Sequence, residues 1–225
     1  MNAPHSLDLG MPGAAAHDEA YAHILAALRL GRFRAGERLV PENIATEIGT
    51  SRMPVREALR RLAAEGLVTL RANRGATVNE LNLQDMREVF EMRAVLEGLA
   101  VRLAAPRLGP ADLRQLVRRL EVMEDRAEPG LDWTTAHRAF HEALCAYSAS
   151  PRLMRQIASL HAVVEPHMRV WDAMPDRHVG TREHHEKLLD VLRGGDPQAC
   201  EAAMRQHVLD TVPDLVRQMS AAPEP

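Results

Sequence analysis

Residues 50–66 read TSRMPVREALRRLAAEG, and their spacing predicts a short helix with two unlike faces. Arg52, Arg56 and Arg60 recur every four residues, so they lie along one side of that helix. Apolar side chains suited to a core occupy the other side: Val55, Leu59 and Leu62. Such a cationic ridge favours a polyanionic partner, although arginine stripes also occur on helix faces that merely meet solvent.

The surrounding residues follow the element order of a winged helix-turn-helix domain, which we predict over residues 18–79. The predicted elements are a helix from near Asp18 to Gly31, a short helix from Pro41 to Gly49, a helix N-capped by Ser51 that runs to Glu65 before Gly66, and two strands at 67–71 and 75–79.

Three residues have the spacing of a helix-turn-helix. Ala45 would let two helices approach, Gly49 would permit a positive φ in the turn, and Val55 would fill the core between the helices. The second helix of such a pair places its N-terminal residues on base edges, and the planar fork of arginine pairs with guanine or phosphate. The candidate DNA contacts are Arg52, Met53, Arg56 and Arg60 on the helix, and Asn73, Arg74 and Gly75 in the wing.

The charge distribution agrees with a polyanion partner for the front of the chain. Residues 20–80 hold ten arginines and six glutamates, a net charge of +4, whereas the remaining residues hold 18 basic and 25 acidic side chains, a net charge of −7. A basic N-terminal part on an otherwise acidic chain suggests that this part binds a polyanion such as nucleic acid.

The stretch ERLVPENIATEIGTSRMPVREALRRLAAEGLVTLRANRGATV, residues 37–78, resembles the GntR family of bacterial transcription regulators. The pattern SR-PVREAL-RL--EGLV carries the resemblance, which spans roughly residues 20–80. It implies DNA contacts at Arg52, Arg56 and the Arg74–Gly75 wing tip. Glu42 departs from the family pattern, because some members have arginine there, and we do not count Glu42 as a contact.

From residue 82 onward the spacing is helical only and predicts an antiparallel six-helix bundle, in an all-helical domain that we place at residues 80–220. The predicted helices cover about 83–105, 110–127, 131–147, 151–173, 177–193 and 197–219. Residues 1–17 have no basic start and no apolar stretch, so we expect a disordered leader rather than a signal peptide, and 221–225 should form a tail. The predicted fold class is mainly α.

Eight of the eleven histidines follow residue 130, where a helical bundle does not need them for its core. His137 and His141 leave one helix face four residues apart, a spacing that can chelate a cation but also occurs by coincidence on surfaces. His185 and His207 each lie on the apolar side of a later predicted helix. Since buried polar groups need partners, we predict that these four histidines share a metal.

The phrases FHEAL, EHHEKLLDVLRGGDP and AMRQHV are similar to the ligand-binding FCD domain of the FadR subfamily, whose metal-containing members use one aspartate and three histidines. The resemblance implies that His141, His185 and His207 are the three histidines, and it puts His137 where the family usually has aspartate. Six helices rather than seven favours the shorter, VanR-like branch.

Replacement of that aspartate by histidine has electrostatic consequences. Four neutral imidazoles offset none of the charge of a divalent ion, so the site should attract an anionic effector and favour Zn²⁺ or Ni²⁺ over Mg²⁺ or Ca²⁺. Alternatively, His137 points away from the site, or His184 replaces the adjacent His185 as a ligand.

Candidate effector-binding residues are Arg93, His161 and Arg169. Arg93 and Glu97 fall at the family's usual arginine and glutamate, but they could equally form a structural ion pair at i,i+4 spacing. His161, Glu165 and Arg169 share one helix face and could frame a pocket or form an ordinary polar patch.

Together these features predict a homodimeric transcription regulator, expected to act as a repressor, in which a small carboxylate bound beside the metal changes affinity for a two-fold operator. The linker near Asn79–Asn82 would transmit the change. A metalloenzyme and a pure metal sensor are the alternatives, but we see no general base or nucleophile beside the histidines and predict no enzyme. With two well-separated cysteines and no long apolar run, we expect a cytoplasmic protein with buried free thiols and no membrane partner.

Overall fold

The computed structural model of the protein describes four segments of the chain: 12–72, 74–125, 132–172 and 181–221. These segments form two compact units that divide between Glu80 and Leu81. The described residues are mainly helical, with one small sheet in the first unit, as the sequence predicted.

The first unit is a winged helix-turn-helix. Its elements are α1 (Pro12–Arg29), β1 (Arg38–Leu39), α2 (Pro41–Glu47), α3 (Arg52–Ala64), β2 (Val68–Arg71) and β3 (Gly75–Val78). The three strands are antiparallel in the order β1-β3-β2. The sequence did not predict β1, because a two-residue strand is too short to show an alternating pattern.

The α2–α3 junction has the geometry that the sequence spacing predicted. Ala45 and Val55 are buried, and Gly49 has a φ of +68° in the turn between the helices. Ser51 occupies the N-cap position of α3, which confirms the predicted start of this helix. Its side chain makes no capping hydrogen bond.

Helix α1 begins earlier than predicted. Residues 12–17, which we expected to belong to a disordered leader, form its first turns, whereas residues 1–11 lie outside the described part of the chain. Pro12 fits a first helical turn because its missing N–H would have no partner there, and the alanines that follow are strong helix formers.

The second unit consists of helices α4 (Leu83–Ala104), α5 (Pro110–Glu124), α6 (Trp133–Ala146), α7 (Pro151–Asp172), α8 (Thr181–Gly194), α9 (Pro197–Leu209) and α10 (Val212–Ala221), with a short 3-10 turn at Ala105–Arg107. Asn82 caps α4 in a reciprocal capping box with Asp85. A proline opens α5, α7 and α9, so the proline breaks in the sequence identified these three boundaries.

The last predicted helix differs from the structure. Residues 197–219 form two helices, α9 and α10, interrupted at Asp210 and Thr211, so the described residues of this unit contain seven α-helices rather than six. Pro213 cannot donate to the carbonyl of Leu209, which prevents an unbroken helix at this point. The assignment to the VanR-like branch was based on a count of six helices, so the helix count no longer supports it.

Helix α4 buries one face against other helices of the second unit and contacts α6, α7 and α9. Gly98 permits the close approach of α9, because a Cβ there would lie 2.6 Å from Arg205 Cγ and 3.2 Å from the Glu201 carbonyl oxygen. Cys145 and Cys200 are buried free thiols, as expected. No helix in the described segments is both long enough and apolar enough to cross a bilayer.

Candidate functional site

The predicted DNA contacts lie on the surface of the winged helix. Arg52, Arg56, Arg60 and Arg74 are exposed, and Met53 keeps 59% of its surface in solvent. A groove of about 260 Å³ separates α3 from the hairpin, and its lining includes four of the predicted contacts: Arg56, Arg60, Arg74 and Gly75. These four candidates from the helix and the wing therefore share one cationic surface, which we call the arginine groove. Asn73 lies outside the described residues.

Two further arginines belong to this surface and were missed in the sequence. Arg71 lines the arginine groove from the end of β2. Arg38 on β1 donates its Nε–H to the Arg74 carbonyl at 2.8 Å and so ties the wing to the extra strand. The alternation of β2 could have identified Arg71 as an outward-facing residue, but no local pattern connects Arg38 with a turn 36 residues away.

Glu42 forms an ion pair with Arg52 at 2.6 Å, and about two thirds of both side chains is exposed. A pair so open to solvent contributes little to stability. It does place a carboxylate beside the first arginine of α3, which agrees with leaving Glu42 out of the DNA contacts. Arg60 pairs with Glu57 along the same helix.

The four histidines predicted as ligands converge in the interior of the second unit. Helix α6 supplies His137 and His141, α8 supplies His185 and α9 supplies His207. All four are at most 9% exposed, and one nitrogen from each lies within 4.8 Å of the others. We call this group the four-histidine cluster. The alternative in which His137 points away does not occur, whereas His184 is exposed on α8 as its position beside His185 predicted.

The geometry of the cluster suits a small transition-metal ion. Ligand nitrogens that surround Zn²⁺ tetrahedrally at 2.0–2.1 Å stand about 3.3–3.4 Å apart. His141 Nε2 and His207 Nε2 are 3.3 Å apart, so this pair has the required separation, and the wider pairs need only modest closure. An all-imidazole set also matches the ligand preference of Zn²⁺ and Ni²⁺.

The charge state of the cluster agrees with binding of a metal ion. Burial lowers the pKa of His137 and of His207 well below the ordinary histidine value, and the neighbouring imidazoles lower both further. Metal binding requires neutral imidazoles with a free lone pair. At neutral pH the interior therefore holds these side chains in the form that can bind a metal.

A second buried group surrounds Glu97 on α4. Its carboxylate lies 2.8 Å from Arg93 Nε, 2.8 Å from His141 Nδ1 and 3.1 Å from His161 Nε2. Burial alone would raise the pKa of Glu97, but Arg93 and the two histidines outweigh it and hold that pKa well below the usual value. Although Glu97, His141 and His161 could geometrically chelate an ion, the Arg93 guanidinium already supplies the cation at this carboxylate.

His161 Nε2 lies between an acceptor and a donor. It cannot both donate to Glu97 at 3.1 Å and accept from Arg93 Nη2 at 3.4 Å, and the shorter distance favours donation to the carboxylate. Burial, reinforced by Arg93, lowers the pKa of His161 to about 4, so the ring is neutral near pH 7.

The candidate effector residues occupy buried or half-buried positions. Arg93 forms the ion pair with Glu97 that we considered as the alternative, and it is 2% exposed. His161 and Glu165 are also buried, so the polar residues on this face of α7 lie in the interior, where α7 packs against α4 and α6.

Arg169 is held at the edge of this buried region by groups from α6 and its N-cap. Its Nη2 lies 2.6 Å from Asp132 Oδ2 and donates to Thr135 Oγ1 at 3.2 Å. Arg138, which we did not predict, adds a second guanidinium 3.2 Å from Glu165. These contacts join residues more than 25 positions apart, which explains why periodicity within one helix did not reveal them.

An arginine-lined winged helix joined to a helical unit with a buried cluster of histidines is typical of one class of proteins, the two-domain DNA-binding regulators. The profile for bacterial regulatory proteins of the gntR family matches residues 16–78, and the FCD domain profile matches residues 88–210. The chain therefore belongs to the GntR family and carries an FCD domain, in agreement with the FadR-subfamily resemblance. Members of this family are transcription regulators rather than enzymes.

Relatives and solved structures agree with this assignment. The chain is 30% identical to a probable D-xylose utilization operon transcriptional repressor of Paenarthrobacter nicotinovorans, over 84% of both chains. It is 28% identical to the HTH-type transcriptional repressor GlaR of Escherichia coli (strain K12), over 84% of this chain and 91% of GlaR. The structure of E. coli McbR/YncC superposes with a TM-score of 0.78 at 26% identity, covering 90% of this chain and 98% of that one.

Proposed function

We propose that this protein is a homodimeric repressor that binds a two-fold operator through the arginine groove and is controlled by a small carboxylate bound beside a divalent metal. The observation that carries this proposal is the convergence of four buried imidazole nitrogens within 4.8 Å inside the FCD domain. Repression is favoured because two of the relatives are named as repressors.

The metal ligands in this proposal are His137, His141, His185 and His207, with Zn²⁺ or Ni²⁺ as the ion. The bound ion would supply a concentrated positive charge that holds an anionic ligand. That charge is not neutralised by the ligands, because neutral imidazoles contribute none. Glu97 does not neutralise it either, since Arg93 balances its carboxylate at 2.8 Å.

The anion specificity would come from polar and cationic side chains in the interior of the second unit. Arg93, His161 and Arg169 are the candidate effector residues, and Arg138 lies in the same region through its contact with Glu165. Each guanidinium is already paired with a carboxylate, so an effector carboxylate would have to exchange with Glu97, Glu165 or Asp132. Such an exchange would link effector binding to side-chain rearrangement inside the unit.

The runner-up is a metal sensor with no organic effector, and one feature favours it. Four protein nitrogens complete a tetrahedral shell and leave no open position, which is typical of structural rather than ligand-binding metal sites. The two functions differ in one observable: a sensor changes its operator affinity with metal alone, whereas the proposed repressor also needs the carboxylate.

The test begins with selection of the operator from a random duplex DNA library, using the purified full-length protein. Operator affinity is then measured for metal-free protein, for protein loaded with Zn²⁺, and for loaded protein with each member of a panel of small mono- and dicarboxylates. We expect at least one carboxylate to weaken binding of the loaded protein about tenfold and to leave the metal-free protein unchanged. Equal affinity in all states, or failure to enrich any DNA sequence, would rule the proposal out.

A further inference from the structure

His141 belongs to both buried groups of the second unit. Its Nε2 lies 3.3 Å from His207 Nε2 in the four-histidine cluster, and its Nδ1 lies 2.8 Å from the Glu97 carboxylate on α4. Both His141 and Glu97 are at most 1% exposed, so no bulk water competes for this contact.

The protonation of His141 follows from its partner. An ionised carboxylate can only accept hydrogen bonds, so the 2.8 Å contact requires that His141 Nδ1 carries the proton. A neutral ring has one proton, and Nε2 must then present its lone pair. That lone pair faces the cluster, where a metal ligand has to point.

Two further contacts fix the carboxylate itself. Arg93 Nε donates to Glu97 Oε1 at 2.8 Å, and His161 Nε2 approaches the same oxygen at 3.1 Å. The other oxygen, Oε2, is thereby directed at His141. His207, by comparison, has no hydrogen-bond partner for its buried Nδ1 among the described residues, so His141 is held in a way that His207 is not.

We propose that Glu97 is a positioning residue for the metal centre: it locks His141 in the Nδ1–H tautomer, so that Nε2 is available to the metal. This inference rests on the proposed metal site. A carboxylate behind a ligating histidine orients the ring and increases its basicity, and loss of such a partner typically weakens metal binding about 10–100-fold. Arg93 takes part by keeping the carboxylate charged and in place.

The test compares Glu97→Gln with wild type by titrating Zn²⁺ into metal-free protein in competition with a chromophoric chelator. We expect the variant to bind Zn²⁺ about 10–100-fold more weakly. The matched control is Glu142→Gln, because Glu142 adjoins His141 in sequence but contacts Arg138 at 3.0 Å. The control should bind within about twofold of wild type, since its carboxylate does not orient a ligand.

A second readout separates positioning from general damage. In metal-free protein with ¹⁵N-labelled histidine, NMR should report the Nδ1–H tautomer for His141 in wild type and in the control, and a mixture or the Nε2–H tautomer in Glu97→Gln. Because that substitution leaves Arg93 buried without its counter-charge, the double variant Arg93→Met with Glu97→Gln provides a neutral interior and should show the same loss.

The outcomes distinguish this inference from the proposed function. If wild type binds no Zn²⁺, the proposed metal site fails, while the tautomer measurement still tests Glu97. If wild type binds Zn²⁺ and both Glu97 variants match it in affinity and in the His141 tautomer, the positioning role is wrong and the metal site stands.

Discussion

Arg56 differs from its neighbours on the α3 ridge because it has no ion pair among the described residues, whereas Arg52 pairs with Glu42 and Arg60 with Glu57. It is exposed, and it lines the arginine groove between α3 and the wing. A guanidinium that is not engaged by a carboxylate can reach DNA without first breaking a protein contact. Arg56 should therefore contribute most directly to binding.

Arg56→Ala should weaken operator binding about 5–150-fold, because one good arginine contact to a base contributes about 1–3 kcal/mol of discrimination. The protein should otherwise stay folded, since the side chain is exposed. Fluorescence anisotropy with a labelled operator at fixed salt measures the change, and Arg155→Ala on the exposed face of α7 is the matched control. Equal affinities for wild type and Arg56→Ala would remove this residue from the DNA contacts.

The interior position of a residue could be predicted where the hydrophobic spacing of its own helix was sufficient. The four histidines of the cluster each share a helix face with apolar neighbours, so helical spacing alone placed them in the interior. The partners of His141 were not predictable in this way, because Glu97 lies 44 residues earlier and on another helix. Contacts between helices depend on how the helices pack together, and the periodicity within one helix does not show which residues of another helix it meets.

At the scale of elements, the start of α6 depends on Asp132. This N-cap accepts from the Thr135 backbone N–H and hydroxyl, and it pairs with Arg169 at 2.6 Å. Burial alone would raise the pKa of Asp132, but the bonds from Arg169 and Thr135 outweigh it and lower that pKa. The carboxylate therefore stabilises the folded unit mainly in its ionised form.

Asp132→Asn keeps a capping oxygen but removes the charge, and it should lower the free energy of unfolding by about 1 kcal/mol or less, since the pair is partly exposed. Because the folded-state pKa lies below the unfolded value of about 3.9, the contribution is fully present above that pH and is lost as the pH falls through the folded pKa. Thermal melting of both proteins between pH 7 and pH 3 measures it, with the exposed Asp190→Asn as control. A difference that does not shrink toward acid pH would contradict this role.

The wing contains a glycine at a position where a side chain would overlap the neighbouring strand. Gly75 has a φ of +87°, and a Cβ there would overlap the Leu39 carbonyl oxygen of β1 and approach Pro41 Cδ to 2.9 Å. The turn that carries Arg74 is thus closed against β1. Sequence patterns predicted the hairpin, but they did not reveal this closure because β1 itself was not predicted.

Gly75→Ala should lower the melting temperature of the first unit and weaken operator binding together, because β1 and the wing must separate. Gly31→Ala is the control: Gly31 also has a positive φ, of +67°, but a Cβ there would meet nothing within 4 Å. The control should show only the conformational cost of about 1–2 kcal/mol and near-normal DNA affinity. Similar effects of the two substitutions would mean that backbone conformation alone, rather than closure against β1, explains the role of Gly75.

At the scale of the whole molecule, the chain combines a DNA-binding unit with an FCD unit, divided between Glu80 and Leu81. The sequence predicted this organisation because the change from mixed to purely helical spacing coincides with the division. It did not predict the break between α9 and α10, where a two-residue interruption leaves the hydrophobic spacing almost unchanged.

A homodimer is expected to have a mass of about 50 kDa, twice the 25.0 kDa of one chain, in analytical ultracentrifugation. Its footprint on the selected operator should cover two half-sites related by a two-fold axis, because each copy supplies one winged helix. A monomer at all concentrations that protects a single half-site would exclude the dimeric arrangement.

We propose that the four-histidine cluster holds one metal ion per chain. The most direct measurement is equilibrium dialysis of metal-free protein against Zn²⁺ or Ni²⁺, followed by mass-spectrometric determination of metal per chain. We predict one tightly bound ion for wild type and for His184→Ala, whose histidine is exposed, and greatly weakened binding for His137→Ala, His141→Ala and His207→Ala. Wild type that retains no metal, or a full complement in all three cluster variants, would contradict the account.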